Sequence, residues 1–123
     1  MTHVDLLRTI TALVRDAGPA AALDTLRRDR PSIPVPGVAG GAPTVGYHHT
    51  LAVFHVWAVD RLVSAGLSDL AVLWHPLTHP ESPLSWWDAA TLASDEARDG
   101  FVASTRATPG EPTPLEHQLL LAA

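Results

Sequence analysis

An uncharged and strongly apolar run in the middle of the chain, residues 45–59, constrains the fold more than any other feature. Its apolar side chains fall on nearly all faces of a helix, and such a helix has to be buried on every side. The run is shorter than the ~20 residues that a bilayer-spanning helix needs, and three histidines interrupt it. It therefore predicts the central helix of a soluble domain and no membrane span.

Prolines and glycines divide the rest of the chain into short helical segments. The chain has 11 prolines and 8 glycines, clustered between stretches whose apolar residues recur at helical spacing. Thr2 and Asp5 form a capping pattern that predicts the start of a first helix, which Gly18 ends. The main helix is expected at about Val45–Ala65, with Thr44 as its N-cap. These patterns predict an all-α fold, a single-domain bundle of four to six helices around one central apolar helix.

The length of 123 residues indicates one domain. We place the helical domain at residues 1–103, with a Pro/Gly-rich connector at 30–43 and a Pro/Thr-rich tail at 104–123. The chain has no cysteine, which excludes disulfides, thiolate metal sites and cysteine nucleophiles. No basic segment precedes an apolar run at the N-terminus, so we expect no signal peptide. Together these features favour a cytoplasmic protein.

The charge balance argues against a nucleic-acid partner. The formal net charge is −5, from 8 basic and 13 acidic residues, and an acidic surface repels a phosphate backbone. The one basic cluster, Arg27–Arg30, is interpreted as a solvated helix end. The chain also lacks the phosphate-loop, dinucleotide-binding and nucleophile-elbow motifs.

The histidines are the candidate chemical groups. His48 and His55 would lie two helical turns apart on one face, about 10.5 Å at 1.5 Å per residue, which is too far for direct chelation of one metal ion. They could instead line one pocket, with the small Ala52 between them. His3 opens the first helix on its apolar face, and it would meet either His48 or the far end of the main helix near Leu62, depending on how the helices cross.

Three interpretations of these imidazoles stay open. They could ligate a divalent metal ion, act as a metal-free acid and base near neutral pH, or be core residues with hydrogen-bonded nitrogens. His75 and His79 are interpreted as loop residues. The candidates by role are His48, His3, Tyr47 and Thr50 as catalytic residues, His55 and Arg98 as substrate-binding residues, and His3, His48 and His49 as ligands if a metal is bound.

Three phrases resemble a pattern found in a group of small, uncharacterised helical proteins from bacteria, largely actinobacteria. The pattern is T-H-x-x-H-L-R, then G-Y-H-x-T-x-T, then L-x-S-x-E-A-R. The resemblance implies a helical fold and gives His3 and His48 more weight than the other histidines, but it implies no reaction. Leu6 replaces the second histidine of the pattern and Ala52 its last threonine, so a site that needs them would be altered here. The matching stretches are "THVDLLR", "GYHHTLA" and "LASDEAR".

We therefore expect a small cytoplasmic enzyme that acts on a small organic molecule, in a setting such as specialised metabolism. Its histidine-based acid/base or metal site would lie on the central helix. The alternative is a non-catalytic ligand-binding or protein-interaction module with structural histidines, whose tryptophans and C-terminal "LEHQLLLAA" meet a partner or a second copy in a homo-oligomer. A pocket that brings His3 and His48 together favours the enzyme, and a closed core around His48 favours the alternative.

Overall fold

The computed structural model describes residues 2–37 and 46–106. These residues form helices and no strands, so the prediction of an all-α chain is confirmed for them. None of their helices is long and apolar enough to cross a bilayer. Two 3₁₀ turns, Pro76–Thr78 and Ser82–Ser85, lie between the fourth and fifth helices. The helices are α1 (His3–Ala17), α2 (Pro19–Asp29), α3 (His49–Ser64), α4 (Asp69–Leu73), α5 (Ala89–Leu92) and α6 (Asp95–Asp99).

Local capping sets the start of several helices. The Thr2 hydroxyl accepts a hydrogen bond from the backbone N–H of Asp5 at 3.1 Å, and the Asp5 carboxylate accepts one from the N–H of Thr2 at 3.3 Å. This is the predicted capping box. Gly18 ends α1 with a φ of 88°, which side chains other than glycine rarely adopt. Ser68 and Ser94 cap α4 and α6 through their hydroxyls.

The main helix starts later than we predicted. The expected helix was Val45–Ala65, whereas α3 begins after Gly46, whose φ is 109°, and after His48, whose backbone is extended. The cap is the His48 side chain, whose Nδ1 accepts from the backbone N–H of Leu51 at 3.1 Å. The expected cap, Thr44, and most of the predicted connector lie outside the described residues. His48 therefore precedes the helix. The prediction that His48 and His55 lie on one helical face is wrong.

The helix α3 is buried along most of its length. Every residue from 49 to 59 is buried, and α3 contacts α1, α2, α4, α6 and the first 3₁₀ turn. Near its middle, the Phe54 ring packs against Trp57, Trp86 and Trp87, with centroid distances of 5.8, 5.1 and 5.8 Å. Each such aromatic pair adds about 0.5–1.5 kcal/mol to the stabilisation from apolar burial. The histidines of α3 are therefore held among packed rings and aliphatic side chains.

Candidate functional site

His48 is buried and hydrogen-bonded through both ring nitrogens. It is fully buried, its Nδ1 accepts the N–H of Leu51, and its Nε2 lies 2.7 Å from the carbonyl oxygen of Leu92. A carbonyl oxygen only accepts, so Nε2 has the proton and the ring is neutral. Burial is the main cause that lowers the pKa of His48, and the positive charge of Arg98 acts in the same direction. With both nitrogens engaged, the ring has no free lone pair for a metal ion or a substrate proton.

Thr50 is also engaged by the protein itself. Its hydroxyl donates to the carbonyl oxygen of Gly100 at 2.9 Å and accepts the backbone N–H of Val102 at 3.1 Å. The side chain is fully buried. Thr50 therefore joins the first turn of α3 to the segment that follows α6, and it does not face a cleft.

Replacing Thr50 with valine should lower the free energy of unfolding by about 1–2 kcal/mol, since two partly buried backbone groups lose their partner while the shape is kept. Urea denaturation at pH 7.5 would measure this change. Thr50→Ser is the matched control, because it keeps the hydroxyl, and it should lose less than the valine variant. A valine variant as stable as the wild type would contradict the assigned hydrogen bonds.

His3 meets His55 rather than His48. The two rings pack edge to face with centroids 5.4 Å apart. The Nε2 of His3 lies 2.7 Å from the carbonyl oxygen of Thr78, so this nitrogen has the proton. Nδ1 then remains as an acceptor, and it has no hydrogen bond within the described part of the chain. Burial is the main cause that lowers the pKa of His3, and the nearby charge of His79 lowers it further. His3 is therefore neutral at neutral pH.

His55 is the most perturbed titratable group among the described residues. It is 2% exposed, and its Nδ1 has no hydrogen-bond partner among those residues. Burial, together with the charges of His3 and His48, lowers its pKa to about 3. A buried nitrogen without a partner costs about 1–3 kcal/mol. Such a group calls for an explanation, and one is that it lies beside a binding site.

His3 lines a cleft of about 730 Å³ between the start of α1, the end of α4 and the two 3₁₀ turns. We call it the His3 cleft, and its wall also includes Trp74, His75, His79 and Glu81. Most of the remaining lining is apolar, and the volume lies in the usual range of about 300–1,000 Å³ for small-molecule pockets. Because the cleft combines an apolar wall with a neutral imidazole, it suits an organic molecule better than an ion.

The sequence did not predict that two further histidines, His75 and His79, would line this cleft. The Nδ1 of His75 accepts the N–H of Leu77 at 3.0 Å, and the Nδ1 of His79 accepts the N–H of Glu81 at 3.1 Å. Both are thus local caps in a loop, as predicted, but both also line the cleft beside His3. Two histidines on either side of a proline-containing turn were the only signal available. It gave no indication that α1 would pack next to that turn.

Tyr47 and His49 line a second cleft, of about 490 Å³, at the N-terminal end of α3. We call it the Tyr47 cleft. The Tyr47 hydroxyl and the Nδ1 of His49 are 2.9 Å apart in a buried hydrogen bond. Arg98, which the sequence predicts to bind substrate, donates from Nη1 to the backbone carbonyl oxygen of Tyr47 at 3.4 Å. The other lining residues are Arg27, Arg30, Asp99, Gly100 and Phe101.

The predicted metal ligands His3, His48 and His49 do not converge on one point. His3 lines one cleft, His49 lines the other, and both nitrogens of His48 are hydrogen-bonded in the core. Within residues 2–37 and 46–106, no three histidine, aspartate or glutamate side chains are placed to hold a metal ion. The candidate residues thus divide between two clefts and the core that contains His48, Thr50 and His55.

The predicted residues therefore do not meet at one point, and the two clefts are the candidate binding sites. The His3 cleft has the larger volume and contains the neutral imidazole. No protein-family model, curated protein or solved structure matches this chain significantly. The resemblance to the actinobacterial helical proteins accordingly stays a prediction.

Proposed function

We propose that the protein is a small enzyme that binds a small, largely apolar organic molecule in the His3 cleft, with His3 as its acid/base group. The observation that supports this most is the 2.7 Å contact between the Nε2 of His3 and the carbonyl oxygen of Thr78, which assigns the proton to Nε2 because a carbonyl oxygen only accepts. An imidazole fixed in this way presents Nδ1 as a base. Since burial lowers the pKa of His3, its unprotonated form predominates at neutral pH.

The lining of the cleft limits the ligand. Val4, Leu73 and Trp74 supply an apolar wall, and most of the exposed lining surface is apolar, although His3, His75 and other polar residues also line the cleft. A ligand with an apolar body and one weakly acidic O–H or N–H would fit this distribution. The proposal has two further parts. The helices form one bundle around α3. The enzyme works in the cytoplasm, in specialised metabolism.

A second candidate function is a protein-interaction module, which is favoured by the closed core around His48 and by the packing of His3 against His55 rather than His48. Trp74 is 76% exposed and Leu70 is 66% exposed, both on the outside of α4 and its end. Large apolar side chains exposed together are common at protein interfaces. Under this alternative, the cleft would receive a partner's side chain, and substitution of Trp74 would weaken association with that partner.

The binding part of the proposal can be tested with p-cresol, which has an apolar ring and one weakly acidic hydroxyl. We expect its addition to shift the amide NMR signals of His3, Trp74 and Thr78. His3→Gln should weaken binding about three- to tenfold, as expected for the loss of one hydrogen bond. Asp16→Asn, an exposed change at the other end of α1, is the control and should leave the affinity unchanged.

The acid/base part has its own measurement. Long-range ¹H–¹⁵N spectra of the imidazole rings at pH 7 should show His3 neutral, with its proton on Nε2. A cationic His3 at this pH would contradict the acid/base role even if p-cresol binds. Signal changes that avoid the His3 cleft altogether would contradict the binding proposal and favour the interaction module.

A further inference from the structure

The Tyr47 cleft contains two arginines that have no carboxylate partner among the described residues. Arg27 and Arg30 come from the last turn and the C-cap of α2, and both line the cleft. The ion pairs of arginine in the described residues are Arg15–Asp69 and Arg28–Asp29. Neither Arg27 nor Arg30 belongs to them or has another ion pair within the described chain. Two guanidinium groups therefore face one cavity on a protein whose net charge is −5.

The backbone of Arg30 is held in an unusual conformation. Its φ of 50° and ψ of 55° are in the left-handed region, and it is the one non-glycine residue with positive φ in the described residues. Such a conformation costs a side-chain-bearing residue about 1–2 kcal/mol. The N–H of Arg30 bonds the carbonyl oxygen of Leu26 at 2.8 Å, which ends α2. Glycine is the usual residue at such a position. A glycine would end α2 equally well without the conformational cost, so ending the helix does not by itself explain an arginine here.

That conformation places the Arg30 guanidinium over the ring of Tyr47, 4.9 Å from its centroid. A cation–π contact engages the charge through the ring face and consumes no N–H group. The ring is held in turn, because Tyr47 is 5% exposed and its hydroxyl bonds His49. The buried ring of Tyr47 therefore positions the guanidinium group of Arg30, whose N–H groups remain available to a ligand.

We propose that the Tyr47 cleft binds the carboxylate of a small molecule between the guanidinium groups of Arg27 and Arg30. Arginine presents paired N–H donors that match the two oxygens of a carboxylate. Asp99 lines the same cleft, and its negative charge favours a singly charged group over a phosphate dianion. Phe101, also in the lining, offers an apolar surface to the rest of the ligand. This site is separate from the His3 cleft and goes beyond the proposed function.

Benzoate is the probe, because it combines one carboxylate with an apolar ring. At constant ionic strength, we expect a benzoate titration to shift the amide signals of Tyr47, His49 and Gly100 with saturation. Benzamide, its neutral counterpart, should produce no such shifts, and inorganic phosphate should bind more weakly than benzoate. The double variant Arg27→Gln, Arg30→Gln should weaken benzoate binding at least about tenfold, which corresponds to about 1.4 kcal/mol.

The chain supplies a matched control in Arg28→Gln. Arg28 lies between the two arginines, is exposed and pairs with Asp29, so its loss changes the net charge without touching the cleft and should leave benzoate binding unchanged. Equal weakening by Arg28→Gln would overturn the proposal, because it would indicate general attraction of anions. Benzamide binding as well as benzoate, or phosphate binding more tightly than benzoate, would overturn it too, and both comparisons use the unaltered protein.

Discussion

Replacing His48 with alanine is expected to lower the free energy of unfolding by about 3–5 kcal/mol, a large part of the stability of a domain of this size. Three losses combine. The backbone N–H of Leu51 loses its cap, which costs about 1 kcal/mol. The carbonyl oxygen of Leu92 loses its buried donor, which costs about 1–3 kcal/mol. The deleted ring also leaves a cavity in a fully buried position.

Two conservative variants separate these losses. His48→Asn places an amide oxygen close to the position of Nδ1, so it should keep the cap to Leu51 and lose the bond to Leu92. His48→Gln can instead reach Leu92 with its amide N–H₂. Each should lie between alanine and the wild type in urea denaturation at pH 7.5. An alanine variant within about 1 kcal/mol of the wild type would contradict the structural role, because one lost buried hydrogen bond alone exceeds that.

The features of the fold that could be predicted are those that depend on residues close together in the sequence. Thr2, Ser68 and Ser94 each cap a helix from the position just before it, and short polar side chains there are a strong local signal. His48 gives no such signal, because histidine is not a favoured cap. Its ring is fixed by the Leu92 carbonyl oxygen, 44 residues further along the chain. A contact at that distance in sequence depends on how the helices pack, which periodicity does not determine.

The candidate site was harder to predict for the same reason. His3 was identified as a candidate, but the choice between His48 and the far end of the main helix depended on the crossing of α1 and α3. Packing placed it against His55, about midway. Arg27 and Arg30 were interpreted as a solvated helix end, and the outward direction of Arg28 fits that interpretation. Their position at a cleft follows from the left-handed turn at Arg30, which an arginine at that position does not suggest.

Acidification is expected to destabilise the fold strongly, because two buried histidines, His48 and His55, and the partly buried His3 have lowered pKa values. An unfolded histidine titrates near 6.5, whereas burial lowers the pKa of His55 to about 3 and also lowers those of His3 and His48. Below pH 6.5 the unfolded chain therefore binds more protons than the folded one. The contribution of these histidines to the free energy of unfolding is fully present above this pH, and it is lost as the pH falls toward 3.

The His55 contribution can be given a magnitude. One pKa unit corresponds to 1.36 kcal/mol, so His55 alone should remove about 2 kcal/mol between pH 6.5 and 4.5. Burial raises the pKa of Asp60, which opposes this trend, since its folded form takes up a proton more readily than its unfolded form. Urea denaturation at pH 7.5, 6.5, 5.5 and 4.5 would give the slope. A free energy of unfolding that is flat from pH 6.5 to 4.5 would contradict the burial of neutral imidazoles.

The variant His55→Leu isolates this histidine from the other two. It removes a buried nitrogen without a partner, so it should raise the free energy of unfolding at pH 7.5 by about 1–2 kcal/mol. It should also reduce the pH slope below 6.5 by about one proton. A less stable variant at pH 7.5 would contradict the assignment of Nδ1 as unpaired. If the variant is more stable but no longer binds p-cresol, the chain retains His55 for the His3 cleft at the expense of stability. If binding is unchanged, His55 contributes packing alone, and the acid/base chemistry would depend on His3 without support from the histidine behind it.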